Sequence, residues 1–103
     1  MSVAGIFSRF MELSICDPRI GPAHVSLFAS IVHLRLSSDV DQPVVAYGRE
    51  LAKLAKISAR TYHTCMKDLV VGGYLRYEPS FNSAHGSLIY LLGVGPEHGL
   101  NEQ

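Results

Sequence analysis

Arg49, Lys53 and Lys56 fall on one side of a short segment whose other side carries Leu51, Leu54 and Ala55. In the segment that follows, His63, Thr64 and Lys67 lie within about 60° of Arg60 on a helical wheel, whereas Tyr62, Cys65, Met66 and Leu69 lie between about 140° and 240°. Both segments read as amphipathic helices that bury an apolar face and present cations from the opposite one. Guanidinium and ammonium groups so arranged attract phosphate, and two successive helices of this kind can sit on a duplex. The chemistry on offer is the binding of a polyanion.

Formal net charge over the 103 residues is zero, but the charge is unevenly placed. Residues 1–46 hold three basic and four acidic groups. Residues 47–76 hold six basic groups (Arg49, Lys53, Lys56, Arg60, Lys67, Arg76) against Glu50 and Asp68. The remainder holds Glu78, Glu97 and Glu102 and no Lys or Arg. Positive charge is therefore concentrated where phosphate attraction would need it.

Bond-making chemistry is not indicated. The chain has no glycine-rich phosphate loop, no paired carboxylates on one face and no nucleophile beside a recognisable base, so no enzyme is expected. The five histidines, His24, His33, His63, His85 and His98, have separations that fit no metal-ligand signature, and His63 and Cys65 point to different faces of one helix. No metal or other cofactor is expected, and no small-molecule pocket is legible. Cys16 and Cys65 belong to no Cys-x-x-Cys pair and are expected as reduced thiols, Cys65 in the core. Tyr62, Tyr77 and Tyr90 are also expected in the core. No apolar run approaches the roughly 18 residues that span a bilayer, and no export signal is evident at the N-terminus, so a cytoplasmic location without membrane contact is expected.

The elements that must position the cations can be read in order. A hydrophobic content of 48% and a charged content of 17% describe one folded domain over 1–103. Residues 4–15 predict a helix with Ile6, Phe7, Phe10, Met11 and Leu13 on a wide apolar side. Asp17-Pro18 and Gly21-Pro22 break it. A second helix follows over 23–36, apolar on most sides, with Ser26, Ser30 and His33 as its polar stripe. Val44-Val45-Ala46 predicts a minor strand. Helices over 49–56 and 58–71 come next, the latter capped by Ser58 and ended by Gly72-Gly73. Residues 74–78 and 87–92 form a hairpin, and 93–103 a flexible tail. The architecture is mainly α with a small β-hairpin.

At Leu51, Ala52, Ile57, Ser58, Thr61, Leu69, Gly73 and Leu75, with Tyr62 in an apolar slot, the sequence resembles the winged-helix transcription regulators of the GntR and MarR kind. The resemblance covers residues 22–92 and is strongest over 49–77. It implies a winged helix-turn-helix, a three-helix core plus wing, here with an extra N-terminal helix. It further implies that Ser58 and Thr61 touch phosphate at the start of the recognition helix, and that Arg60, Thr64 and His63 approach base edges. The chain departs from the pattern at Ala55 and at Lys56, where a glycine is common. Its hairpin tip over 80–86 offers only Asn82 and His85 where a minor-groove wing carries Lys or Arg.

The expected function is sequence-specific binding of double-stranded DNA by Arg49, Lys53, Lys56, Ser58, Arg60, Thr61, His63, Thr64 and Lys67, as a small homodimeric transcription regulator. The apolar surplus of residues 4–15 and 23–36 points to the dimer contact. The alternatives are a winged-helix module that binds protein, and an accessory factor in replication or partition of a mobile element.

Overall fold

A computed structural model describes residues 2–39, 41, 43–80 and 86–93. They form four helices, α1 (Val3–Ser14), α2 (Pro22–Leu36), α3 (Gly48–Ala55) and α4 (Ala59–Val71), and three short strands, β1 (Val44–Ala46), β2 (Leu75–Glu78) and β3 (Ser87–Leu91). The boundaries fall close to those read from the sequence because most have a visible start or stop. Ser2 accepts a hydrogen bond from the Gly5 backbone N–H at 3.0 Å and caps α1. Pro22 opens α2, where a missing N–H costs little. Gly73, at φ 83°, closes α4: its N–H donates to the Val70 carbonyl, and that of Tyr74 to the Leu69 carbonyl, both at 3.0 Å. No helix among the described residues is long and apolar enough to cross a membrane.

The strands make one antiparallel sheet in the order β1-β3-β2. The expected hairpin therefore gains β1 as a third strand, with Val44 opposite Ile89. Alternation sends Val44, Ala46, Leu75, Ile89 and Leu91 into the core. Tyr90, expected there too, is turned outward. It lies between the inward Ile89 and Leu91, and a period of two leaves it no other direction. Its partner across the ladder is Arg76, whose guanidinium lies 4.0 Å from the ring centroid.

α1 belongs to the core. Phe10 stacks on Phe28 of α2 with ring centroids 3.9 Å apart, and meets Tyr74 edge-on at 5.2 Å. Ile6 and Phe10 are buried, and Phe7 and Leu13 pack against the same cluster. The apolar side that the sequence offered to a second copy is thus largely covered within the chain, leaving Met11 and Ile15 outside. On α2, Ser26 and Ser30 face inward instead of forming an open polar stripe. The Ser30 hydroxyl donates to the Ser26 carbonyl at 2.9 Å, and that of Ser26 to the Ala55 carbonyl at 2.6 Å. The second bond satisfies a backbone acceptor at the end of α3 and fixes that end against α2.

Two polar contacts tie the α1–α2 connection to the far end of α4. Asp17, buried, accepts from Arg19 Nε and Nη2 at 3.0 Å each, and from the Tyr74 hydroxyl at 2.7 Å. The Arg19 guanidinium, with help from Tyr74 and against the effect of burial, holds the Asp17 carboxyl down at about 2. The Gly21 N–H donates to His24 Nδ1 at 3.0 Å, so in the neutral ring Nε2 carries the proton and donates to Asp68 Oδ2 at 2.7 Å.

Candidate nucleic-acid interface

The cations singled out in the sequence are carried by α3, α4 and the turn between them. At the start of α3 the Tyr47 backbone N–H donates to Glu50 Oε1 at 3.2 Å, which places a carboxylate at the positive end of the helix. Leu51, Ala52 and Ala55 are buried. Leu54, expected with them, is 42% exposed. The buried arc runs from Leu51 through Ala55 to Ala52, and Leu54 lies about 60° before it begins. Arg49, Lys53 and Lys56 are exposed as expected.

Lys56 sits in the left-handed region at φ 62° and ψ 43°. Its N–H donates to the Lys53 carbonyl at 3.2 Å and that of Ile57 to the Ala52 carbonyl at 3.0 Å, the paired bonds that need a left-handed residue at the helix end. The lysine thus adopts the conformation that the glycine of the familiar pattern would supply, against a steric cost of about 1–2 kcal/mol.

Ser58 then caps α4, its Oγ accepting from the Thr61 N–H at 3.1 Å. The Ser58 hydroxyl donates to Thr61 Oγ1 at 3.0 Å, so the Thr61 hydroxyl keeps its own proton for an outside acceptor. Tyr62, Cys65, Met66 and Leu69 are buried, and Arg60, His63, Thr64 and Lys67 are exposed, as the wheel predicts. Burial pushes the Tyr62 phenol up, with Tyr77 adding to the effect, and pushes the Cys65 thiol up, with Asp68 adding. Neither group is poised to ionise near neutral pH. Val71, 64% exposed, continues the line of Arg60, Thr64 and Lys67. The sequence contained that signal, a residue eleven after Arg60 returning to the same side, but an apolar residue gave no reason to count it.

Among the described residues the cations of this surface, Arg49, Lys53, Lys56, Arg60 and Lys67, form no salt bridge. Arg49 lies over the Tyr47 ring at 4.8 Å. The two acidic groups nearest in sequence are engaged elsewhere, Glu50 by the Tyr47 backbone and Asp68 by His24. On β2 and β3, Arg76 is the one Lys or Arg among the described residues, and it is held between Tyr90 and Glu78. Asn82 and His85 lie outside the described residues, as do residues 94–103. Among the described residues no group of three or more His, Cys, Asp or Glu converges to hold a metal.

The Asp17–Arg19–Tyr74 contact that steadies α4 was not anticipated from the sequence. Comparison of the chain with protein families, curated proteins and solved structures returns no match.

Proposed function

We propose that this chain is a winged helix-turn-helix protein that binds double-stranded DNA as a small transcription regulator. α4 enters the major groove and α3 crosses the backbone beside it. The observation that supports this most directly is the set of four exposed cations, Lys53, Lys56, Arg60 and Lys67, without a carboxylate partner among the described residues. Surface cations are usually solvated or loosely paired. Cations presented by two successive helices, with the neighbouring acids Glu50 and Asp68 turned to other partners, suit a ligand that brings its own negative charge.

Within this reading Arg60 and Thr64 face base edges, with His63 beside them, while Lys53, Lys56, Lys67 and the free proton of Thr61 serve phosphates. The hairpin contributes less, since Arg76 is already in use on the outer face of the sheet. Titration of a labelled duplex at low and raised salt tests the reading, followed by selection of bound duplexes from a random pool. Affinity that falls with salt, by a slope of about 0.9 per phosphate contact, is expected. Absence of duplex affinity at low salt overturns it.

A further inference from the structure

A trough runs between the end of α2, β1 and α3. Its main part, about 820 Å³, is walled by His33, Leu34, Val45, Lys53, Leu54 and Lys56. An adjoining hollow of about 380 Å³ shares Leu34 and Val45 and extends past Pro43. Two aliphatic side chains here fall on the outward side of their own elements. Val45 is 62% exposed between Val44 and Ala46 at 3% each, and Leu54 is 42% exposed on the helix that buries Leu51 completely. β1 pairs with β3 on one side only, so its other edge carries no strand among the described residues.

We infer that this trough is a docking site for an acidic segment of another protein, one that inserts large apolar side chains between Val45 and Leu54 and sets carboxylates against Lys53 and Lys56. Charge complementarity selects this occupant. The rim has two lysines, and its single carboxylate, Glu50, already caps α3. A duplex would satisfy the lysines but leave Val45 and Leu54 without an apolar partner. A second copy docked here about a two-fold axis would gather four lysines from the two rims, with Glu50 of each rim already engaged as a cap, an excess of like charge that costs affinity. A segment with both properties covers the apolar floor and neutralises the rim together. The inference does not depend on duplex binding, because α3 and the turn after it expose Lys53 and Lys56 with or without DNA.

The test is a display selection of random 12-residue peptides on the intact protein, with recovered peptides then measured by fluorescence anisotropy. Peptides that combine Asp or Glu with Leu, Ile or Phe are expected. Leu54→Ser and Val45→Thr should each weaken them about tenfold, the scale of losing one well-buried aliphatic contact. Lys53→Gln with Lys56→Gln should weaken them similarly and flatten the salt dependence, while Lys67→Gln leaves them unchanged. Val45 and Leu54 are exposed, so these variants should melt with the wild type, and thermal unfolding checks that they do. The proposal is overturned by selection of no peptide, by peptides without acidic residues, or by peptides indifferent to Leu54→Ser and Val45→Thr. It is also overturned if sedimentation shows that those substitutions dissociate a dimer.

Discussion

The ring of Tyr62 on α4 lies so close over Gly48, the first residue of α3, that a Cβ on Gly48 would stand 2.9 Å from Cε2 and 3.2 Å from Cζ. Tyr62 is 3% exposed and packed in the core, so a methyl group at position 48 must displace the ring or the helix that carries it. This contact sets how closely the two cation-bearing helices approach, and no larger residue at position 48 preserves it.

Gly48→Ala should therefore destabilise the protein, although alanine ordinarily favours a helix over glycine by up to about 1 kcal/mol. Overpacking a filled core costs about 1–3 kcal/mol, and it outweighs the propensity gain. Urea unfolding should show a lower midpoint with an unchanged slope. Because the substitution pushes α3 from α4, duplex affinity should fall even at temperatures where the variant is fully folded. A variant as stable as the wild type would show that the contact is slack.

Lys56→Gly should move stability and affinity in opposite directions. Glycine removes the steric cost of the left-handed conformation at φ 62° but adds freedom to the unfolded chain, leaving a net gain on the order of 0.5–1 kcal/mol. The same change removes one exposed cation, so duplex affinity should drop and its salt slope should fall by about one. Thermal melts and titrations on one preparation measure both. A loss of stability would mean that the Lys56 side chain makes a contact worth more than the strain.

Much of this surface was legible because it is local. The cationic side of α4, the Ser58 cap and the Gly72-Gly73 stop all depend on residues within one helix and its ends, and periodicity reads them directly. The misreadings occurred where tertiary packing decides between two permitted faces. Leu54 has the right type for the core but lies beyond the arc that α2 and α4 cover, and Tyr90 loses its inward place to Ile89 and Leu91. The contact of Asp17 with Tyr74 spans 57 residues, and no local pattern marks it. The trough was hidden for the same reason, since Leu34, Val45 and Leu54 meet only when three elements assemble.

Arg60→Ala and Lys53→Ala should be distinguishable. Arg60 lies on the outward stripe of α4 with Thr64 and Lys67, and its planar fork suits a guanine edge, so its loss should relax sequence preference by about 1–3 kcal/mol at one position. Lys53, on α3, should weaken all duplexes alike and lower the salt slope by about one. Selected and scrambled duplexes titrated side by side separate the two. Equal, sequence-blind losses would remove Arg60 from the bases.

Phe10→Ala tests whether α1 is core or appendage. The ring stacks on Phe28 at 3.9 Å, meets Tyr74 edge-on and is 2% exposed. Truncation should cost about 3–5 kcal/mol, a large share of the stability of a domain this size. Sedimentation of the wild type asks the separate question of dimerisation, for which Met11 and Ile15 remain exposed on this side. A Phe10→Ala protein that keeps its unfolding midpoint but loses a dimer would reverse the assignment of this ring to the intramolecular core.

Asp17 should give the protein a specific weakness to acid. Its carboxyl is lowered from 3.8 to about 2, first by the Arg19 hydrogen bonds and further by Tyr74, against the effect of burial. Between about pH 4 and about pH 2 the unfolded chain takes up a proton that the native carboxylate refuses, so this contribution is lost as pH falls through that window and is fully present above it. At about 1.4 kcal/mol per unit the shift corresponds to roughly 2 kcal/mol, and exposure of the Arg19 side chain to solvent reduces this to about 1–2 kcal/mol. Asp17→Asn keeps the shape and one acceptor but not the charge. Its deficit against the wild type should be constant above pH 5 and narrow steadily towards pH 2, as denaturant unfolding across that range would show. An equal deficit at pH 3 and pH 7 would mean that the ionised form of Asp17 is not what holds Arg19 and Tyr74 together.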